Sequence, residues 1–136
     1  MKKRGFTLIE LIVVVAIIAI LSSIVSTQFS TIRSKSRDAR RMSDVIQIKK
    51  ALSLYQIDVI QFPVHASAIT ITGEDAFSTT LEESGVITEV PSDPQHPEIS
   101  YTYQSNSTGS DYDISFCLET ETIPNYSQGC GNKIGP

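Results

Sequence analysis

The residue with the most unusual setting is Glu10. The stretch from Phe6 to Val25 reads FTLIELIVVVAIIAILSSIV, and residues 11–32 carry no charge at all. An ionised carboxylate in so apolar a run costs roughly 3 kcal/mol unless it is answered. Three settings satisfy it: solvation at a membrane headgroup layer, protonation, or pairing with a cation. Elsewhere the reactive side chains are sparse. Cys117 and Cys130 lie close together without CxxC spacing or a neighbouring histidine, which points to a disulfide rather than a metal or redox centre. Closing a loop of that size stabilises by about 3 kcal/mol in the chain-entropy model and suits an exported domain in an oxidising compartment, with two reduced cytoplasmic thiols as the alternative. His65 and His96 sit in proline-flanked, loop-like contexts and are expected at the surface. Asp111 and Asp113 are too few for a calcium site and are expected on a turn and a strand face. Glu82-Glu83 suits a solvated helix face, and neither a nucleophile elbow nor a phosphate loop is present. Enzymatic activity is therefore not expected, and no cofactor or metal is implied. Asn106-Ser107-Thr108 and Asn125-Tyr126-Ser127 fit a glycosylation sequon, a pattern that arises often by chance.

The elements that position these residues follow from the charge pattern. The 136-residue chain averages 40% hydrophobic and 19% charged residues with a net charge of −4, but the averages blend two regimes. Phe6–Val25 as a helix is about 30 Å long, enough to cross a hydrocarbon core. Residues 51–136 hold twelve acids against one base, Lys133. Basic residues cluster at Lys2, Lys3 and Arg4 and again from Arg33 to Lys50, so the positive-inside rule is nearly balanced and charge alone does not orient the span. The second cluster has no interleaved aromatics and adjoins an acidic remainder, which argues against a nucleic-acid partner and for a solvated helix face beside lipid headgroups.

No glycine or proline occurs from Phe6 to Phe62, so one helix is predicted to run from the span into the following segment. There Met42, Val45, Ile48, Leu52, Tyr55 and Val59 form one apolar stripe, while Arg41, Asp44, Gln47 and Lys50 fall off it. The stripe needs cover, and a small sheet from the rest of the chain is its natural source. Ile99–Gln104 and Tyr112–Leu118 alternate as strands around an N-S-T-G-S-D turn, predicting an antiparallel hairpin with Tyr112, Ile114, Phe116 and Leu118 on one face. Asp75–Ser84 is predicted as a short helix stopped by Gly85. The fold class is α+β: a long N-terminal helix packed on a small antiparallel sheet.

The leader K-K-R-G followed by F-T-L-I-E closely resembles the class III signal of type IV prepilins and pseudopilins. The segment RRMSDVIQIKKALSLYQIDVIQFP, then V-P-S-D-P at Val90–Pro94, Tyr101, Tyr103 and the Y-D-I at Tyr112–Ile114 are similar to the major pseudopilin of type II secretion. The resemblance implies a structural filament subunit in three parts: a leader of residues 1–5, a transmembrane and assembly helix of residues 6–32, and an amphipathic helix with a periplasmic or extracellular head over residues 33–136. It implies cleavage between Gly5 and Phe6 by a membrane prepilin peptidase that also methylates Phe6. Glu10 then holds the acid position of the family, answered by the new Phe6 amine of its own helix or of a neighbouring subunit. The implied partners are that peptidase, other pilin or pseudopilin subunits and an inner-membrane assembly platform. The implied location is a single-pass bacterial inner-membrane precursor with a cytoplasmic N-terminus, maturing into a periplasmic or cell-surface filament. Thr27 and Ala19 stand where many relatives have proline and glycine, which favours a straighter helix. A permanently membrane-anchored binding or adhesion module is the alternative, and a secreted enzyme freed by cleavage near Ser22-Ser23 a more distant one.

Overall fold

The computed structural model describes residues 6–136, the side chains of residues 24–27 excepted, so the leader and Gly5 lie outside it. In chain order the described elements are α1 (Leu8–Val59), β1 (Ile69–Ile71), α2 (Ala76–Glu83), β2 (Tyr101–Ser105), β3 (Tyr112–Leu118) and β4 (Gly129–Ile134). Two compact units result, one ending at Ser34 and one running from Lys35 to Pro136, with α1 contributing to both.

In the second unit the sheet order is β1-β2-β3-β4, antiparallel throughout. The predicted hairpin is β2–β3, with Tyr103 opposite Ile114 and Ser105 opposite Tyr112. Period-two alternation sends Tyr101 and Tyr103 of β2, and Tyr112, Ile114, Phe116 and Leu118 of β3, into the core. There they meet Val45, Ile48, Ala51 and Leu52 of α1, all buried, with Met42 and Tyr55 packed at the margin. The stripe thus covers the sheet as its spacing requires, but it stops short: Val59 is exposed, because α1 itself ends there.

The helix ends at Val59, without glycine. Ile60 takes a left-handed φ of +67° and donates its N–H to the Gln56 carbonyl at 2.8 Å, closing the last turn. The chain then bends so that Phe62 is buried edge-on to Tyr112, ring centroids 4.6 Å apart, and donates its N–H to the Gly109 carbonyl at 2.8 Å. Gly109 is required: its φ is +63°, and a Cβ there would stand 2.7 Å from the Phe62 carbonyl oxygen.

The short helix α2 forms as predicted. Asp75 caps it by accepting the N–H groups of Phe77 and Ser78 at 3.0 Å each, and Gly85 follows its end at φ +75°. Phe77 stacks on Tyr103 at 4.1 Å. Two strands were not foreseen. β1 is three residues long, and β4 reads GCGNKI, a composition with little strand propensity.

Candidate functional site

The first unit is an apolar helix with every described side chain from Phe6 to Ser23 exposed, among them Phe6 at 80%, Leu8 at 75% and Ile9 at 70%. It is long and apolar enough to cross a membrane. Glu10 sits at its N-terminal end in a shallow notch of about 310 Å³ lined by Phe6, Ile9, Val13 and Val14. Its carboxylate accepts two hydrogen bonds from Thr7, from the backbone N–H at 2.8 Å and from the hydroxyl at 2.7 Å. In return Thr7 Oγ1 accepts the N–H of Glu10 at 3.3 Å. This is a capping box: a residue flanking the helix and the residue three positions on satisfy each other's free N–H groups. The T-x-x-E spacing of Thr7-Leu8-Ile9-Glu10 carries that signal in the sequence, so Glu10 has local neutral donors besides any cation. Phe6 is positioned beside Glu10, whereas Gly5 lies outside the described residues.

The second unit holds an ionic cluster. Arg41 and Asp44, expected on a solvated helix face, are buried, as is Asp38. Arg41 reaches from α1 to the Val90–Pro94 loop, where Asp93 accepts Nε–H at 2.8 Å and Nη2–H at 3.2 Å, and to Gln95 Oε1 at 2.7 Å. Its Nη1 donates to Asp38 at 3.0 Å and to Glu119, just past β3, at 2.7 Å. Asp38 in turn accepts the backbone N–H groups of Glu119 at 2.9 Å and Thr120 at 2.8 Å, and Arg37 also pairs with Glu119. Burial alone would lower the guanidinium pKa, but the hydrogen bonds it donates to Asp93 and Glu119 outweigh it, so Arg41 is held charged. Asp44 accepts the Tyr101 hydroxyl at 3.1 Å; burial pushes its pKa up, partly offset by that bond and by Arg40. The stripe rule failed here because it reads charge as solvent exposure, whereas loops distant in sequence bring the counter-charges.

Cys117 and Cys130 are joined by a disulfide between β3 and β4, with Cα atoms 3.9 Å apart. His96 is exposed and hydrogen-bonds Ser100 Oγ at 2.9 Å, but His65 is half-buried, its ring edge-on to Tyr103 and Phe77, which corrects its surface placement. Glu82 likewise departs from the solvated-face expectation: it accepts the Val90 N–H at 2.9 Å, while Glu83 stays exposed. Asp113 pairs with Lys133 at 3.0 Å across the outer face of the sheet, and Asp111 lies in the turn. Among the described residues no cluster of histidine, cysteine, aspartate or glutamate could hold a metal ion.

An exposed apolar helix with one capped carboxylate at its N-terminal end, and an α+β unit of its own, are the two parts of pilin-like filament subunits. Residues 1–26 match the prokaryotic N-terminal methylation motif, and residues 29–128 match the family of type II secretion system protein G. The chain belongs to the type II secretion protein G family, whose members are structural pseudopilin subunits rather than enzymes. It is 26% identical to the type II secretion system core protein G of Klebsiella pneumoniae, over 96% of this chain and 94% of that one. Against the core protein G of Aeromonas hydrophila it is 30% identical over 68% of each. The type IV major fimbrial protein of Dichelobacter nodosus is 41% identical over 41% of this chain and 36% of its own. No solved structure matches.

Proposed function

We propose that this chain is a homopolymer-forming pseudopilus subunit, processed between Gly5 and Phe6, that assembles by burying residues 6–32 among neighbouring copies. The observation that supports this is the uninterrupted exposure of the described apolar side chains from Phe6 to Ser23: a surface of that length needs either lipid or other helices around it. The precursor spans the inner membrane once with its leader in the cytoplasm, and the disulfide-bearing head lies outside, where thiols oxidise. A prepilin peptidase cuts after Gly5 and methylates Phe6, and an inner-membrane platform drives assembly. The leader is residues 1–5, the assembly helix residues 6–32 and the head with its supporting helix residues 33–136.

Glu10 is the register device. Before cleavage Phe6 contributes an amide nitrogen; after it, Phe6 carries an amine, and the amine of an adjoining copy offers Glu10 a charge-assisted bond stronger than the neutral donors of Thr7. Mass spectrometry of the mature N-terminus in the native host, combined with the polymer yield of Glu10→Gln, tests the reading. A methylated phenylalanine and lost polymer are expected. An intact Met1 leader on the mature chain would instead favour a permanently anchored binding module, and full polymer yield from Glu10→Gln would remove the role given to the carboxylate.

A further inference from the structure

We propose that Asp44 is a proton-binding catch between α1 and β2: it takes up a proton when the helix docks on the sheet, and loss of that proton at higher pH loosens the docking. The catch lies wholly within the second unit and stands whether or not the chain polymerises.

The buried aspartates of this unit are served unequally. Asp38 accepts the N–H groups of Glu119 and Thr120, the Thr120 hydroxyl and Nη1–H of Arg41. Asp93 accepts N–H groups from two nitrogens of Arg41 and from the backbone of Gln95. Asp44 is 8% exposed, yet among the described residues the hydrogen bond it receives comes from a neutral donor, the Tyr101 hydroxyl, at 3.1 Å. Its cationic partner, Arg40 Nε, stands 3.8 Å away, beyond hydrogen-bond reach, on a side chain that is 66% exposed and so screened by water.

A carboxylate so placed has exchanged water for one neutral donor, which leaves its charge poorly compensated. A proton removes that charge and keeps the Tyr101 bond, since the carboxyl still has an oxygen to accept it. The charges around it do not supply what is missing. On α1, Arg40 favours the ionised form, while Arg41 is committed to Asp38, Asp93 and Glu119. From the facing loop Asp93 opposes ionisation, and Glu89, which lines the same groove as Arg40, adds a further negative charge. From β2 comes Tyr101, whose hydroxyl stays neutral because burial and the adjacent acid hold its pKa high. Burial therefore lifts Asp44 above the ordinary 3.8, against the smaller pull of Tyr101 and Arg40. The folded form then holds the proton more tightly than the unfolded chain does. The stabilisation is full below pH 3.8 and is lost as pH rises through the folded value.

The test compares urea unfolding of the full chain in detergent with that of Asp44→Asn, an uncharged isostere that still accepts the Tyr101 hydroxyl, over a series of pH values. Taking the ratio cancels the other carboxylates, which titrate alike in both chains. The unfolding constant of the unaltered chain, divided by that of Asp44→Asn, should rise from pH 3.8 upward by up to roughly tenfold per pH unit and then level off. A ratio that stays flat above pH 3.8, or falls, overturns the proposal. A second measurement needs no Asp44 variant: the carboxyl carbon resonance of Asp44, followed by NMR in the folded unaltered chain, should titrate above 3.8. Tyr101→Phe removes the donor to the ionised form and should move that midpoint higher. A midpoint at or below 3.8, or one that Tyr101→Phe leaves in place or lowers, overturns the proposal even where Asp44→Asn fails to fold.

Discussion

Replacing Arg41 by methionine removes the one guanidinium that four side chains converge on while filling most of its volume. Asp38 would keep three donors, the N–H groups of Glu119 and Thr120 and the Thr120 hydroxyl. The Asp93 carboxylate would keep the backbone N–H of Gln95, at 2.8 Å, as a donor. The uncompensated charge therefore falls mainly on Asp93, which is 3% exposed. Breaking a buried pair from one side costs about 3–5 kcal/mol, and here the expected loss is about 4, since both carboxylates stay buried and one is nearly stripped. For a folded unit of this size that is a fall in Tm of roughly 15–30 °C. The assay is urea and thermal unfolding of the full chain in detergent, followed by circular dichroism and tyrosine fluorescence. Arg41→Met/Asp93→Asn should recover part of the loss, because the amide no longer carries a buried charge. Arg41→Lys should fall in between, keeping the charge without the fork that holds Asp93 through two nitrogens. A loss below about 1 kcal/mol for Arg41→Met would refute the reasoning and return Arg41 to the solvated face.

Three further outcomes follow from the same unit. Gly109→Ala must adopt a left-handed φ and push its Cβ against the Phe62 carbonyl, so it should destabilise by roughly 2 kcal/mol or more in urea titration. Ile60→Gly relieves the strained helix end while removing a side chain that is 86% exposed, and should raise stability by up to about 1 kcal/mol. Burial raises the hydroxyl pKa values of Tyr101, Tyr103 and Tyr112, the last to about 12, above the ordinary 10.0. These groups ionise more readily in the unfolded chain, so stability is intact below pH 10 and declines above it by up to about 1.4 kcal/mol per tyrosine per pH unit. Absorbance at 295 nm should show these tyrosines ionising together with loss of ellipticity; smooth ionisation of all five tyrosines near pH 10 in a folded chain would contradict their burial.

Local signals carried much of this architecture. The absence of glycine and proline read out α1, the alternation from Tyr112 to Leu118 read out β3 and its inward face, and Asp75 with Gly85 bracketed α2. Each of these depends on residues within one element. What sequence reasoning missed depends on distant partners. β4 has two glycines, and its place in the sheet comes from pairing with β3 and from the Cys117–Cys130 link. β1 is held by three residues opposite β2. The left-handed Ile60 breaks α1 where no breaker residue stands, because burying Phe62 beside Tyr112 requires the chain to turn there. The candidate assembly site differs, because its missed contact is local. Glu10 stands out from its apolar surroundings, and its bond to Thr7 is legible in the four-residue T-x-x-E spacing.

The ionic cluster and the apolar stripe on α1 do different work. Val45, Ile48 and Leu52 supply hydrophobic energy, but a stripe with three- and four-residue steps looks much the same after sliding by one turn. An unbroken helix of 52 residues offers the head few other landmarks. Directional bonds remove the ambiguity. A one-turn slip would move Arg41 about 5.4 Å relative to Asp93 and Glu119, beyond hydrogen-bond reach, and would leave buried carboxylates without their cation. Asp38 adds a second check by gripping backbone N–H groups at the end of β3, which a shifted strand could not present to it. The cluster therefore fixes which turn of α1 carries the head, even though apolar replacements of equal volume could match its net stability. In a polymer that repeats one subunit geometry many times, an error of one turn between helix and head would be copied into every contact that the head makes.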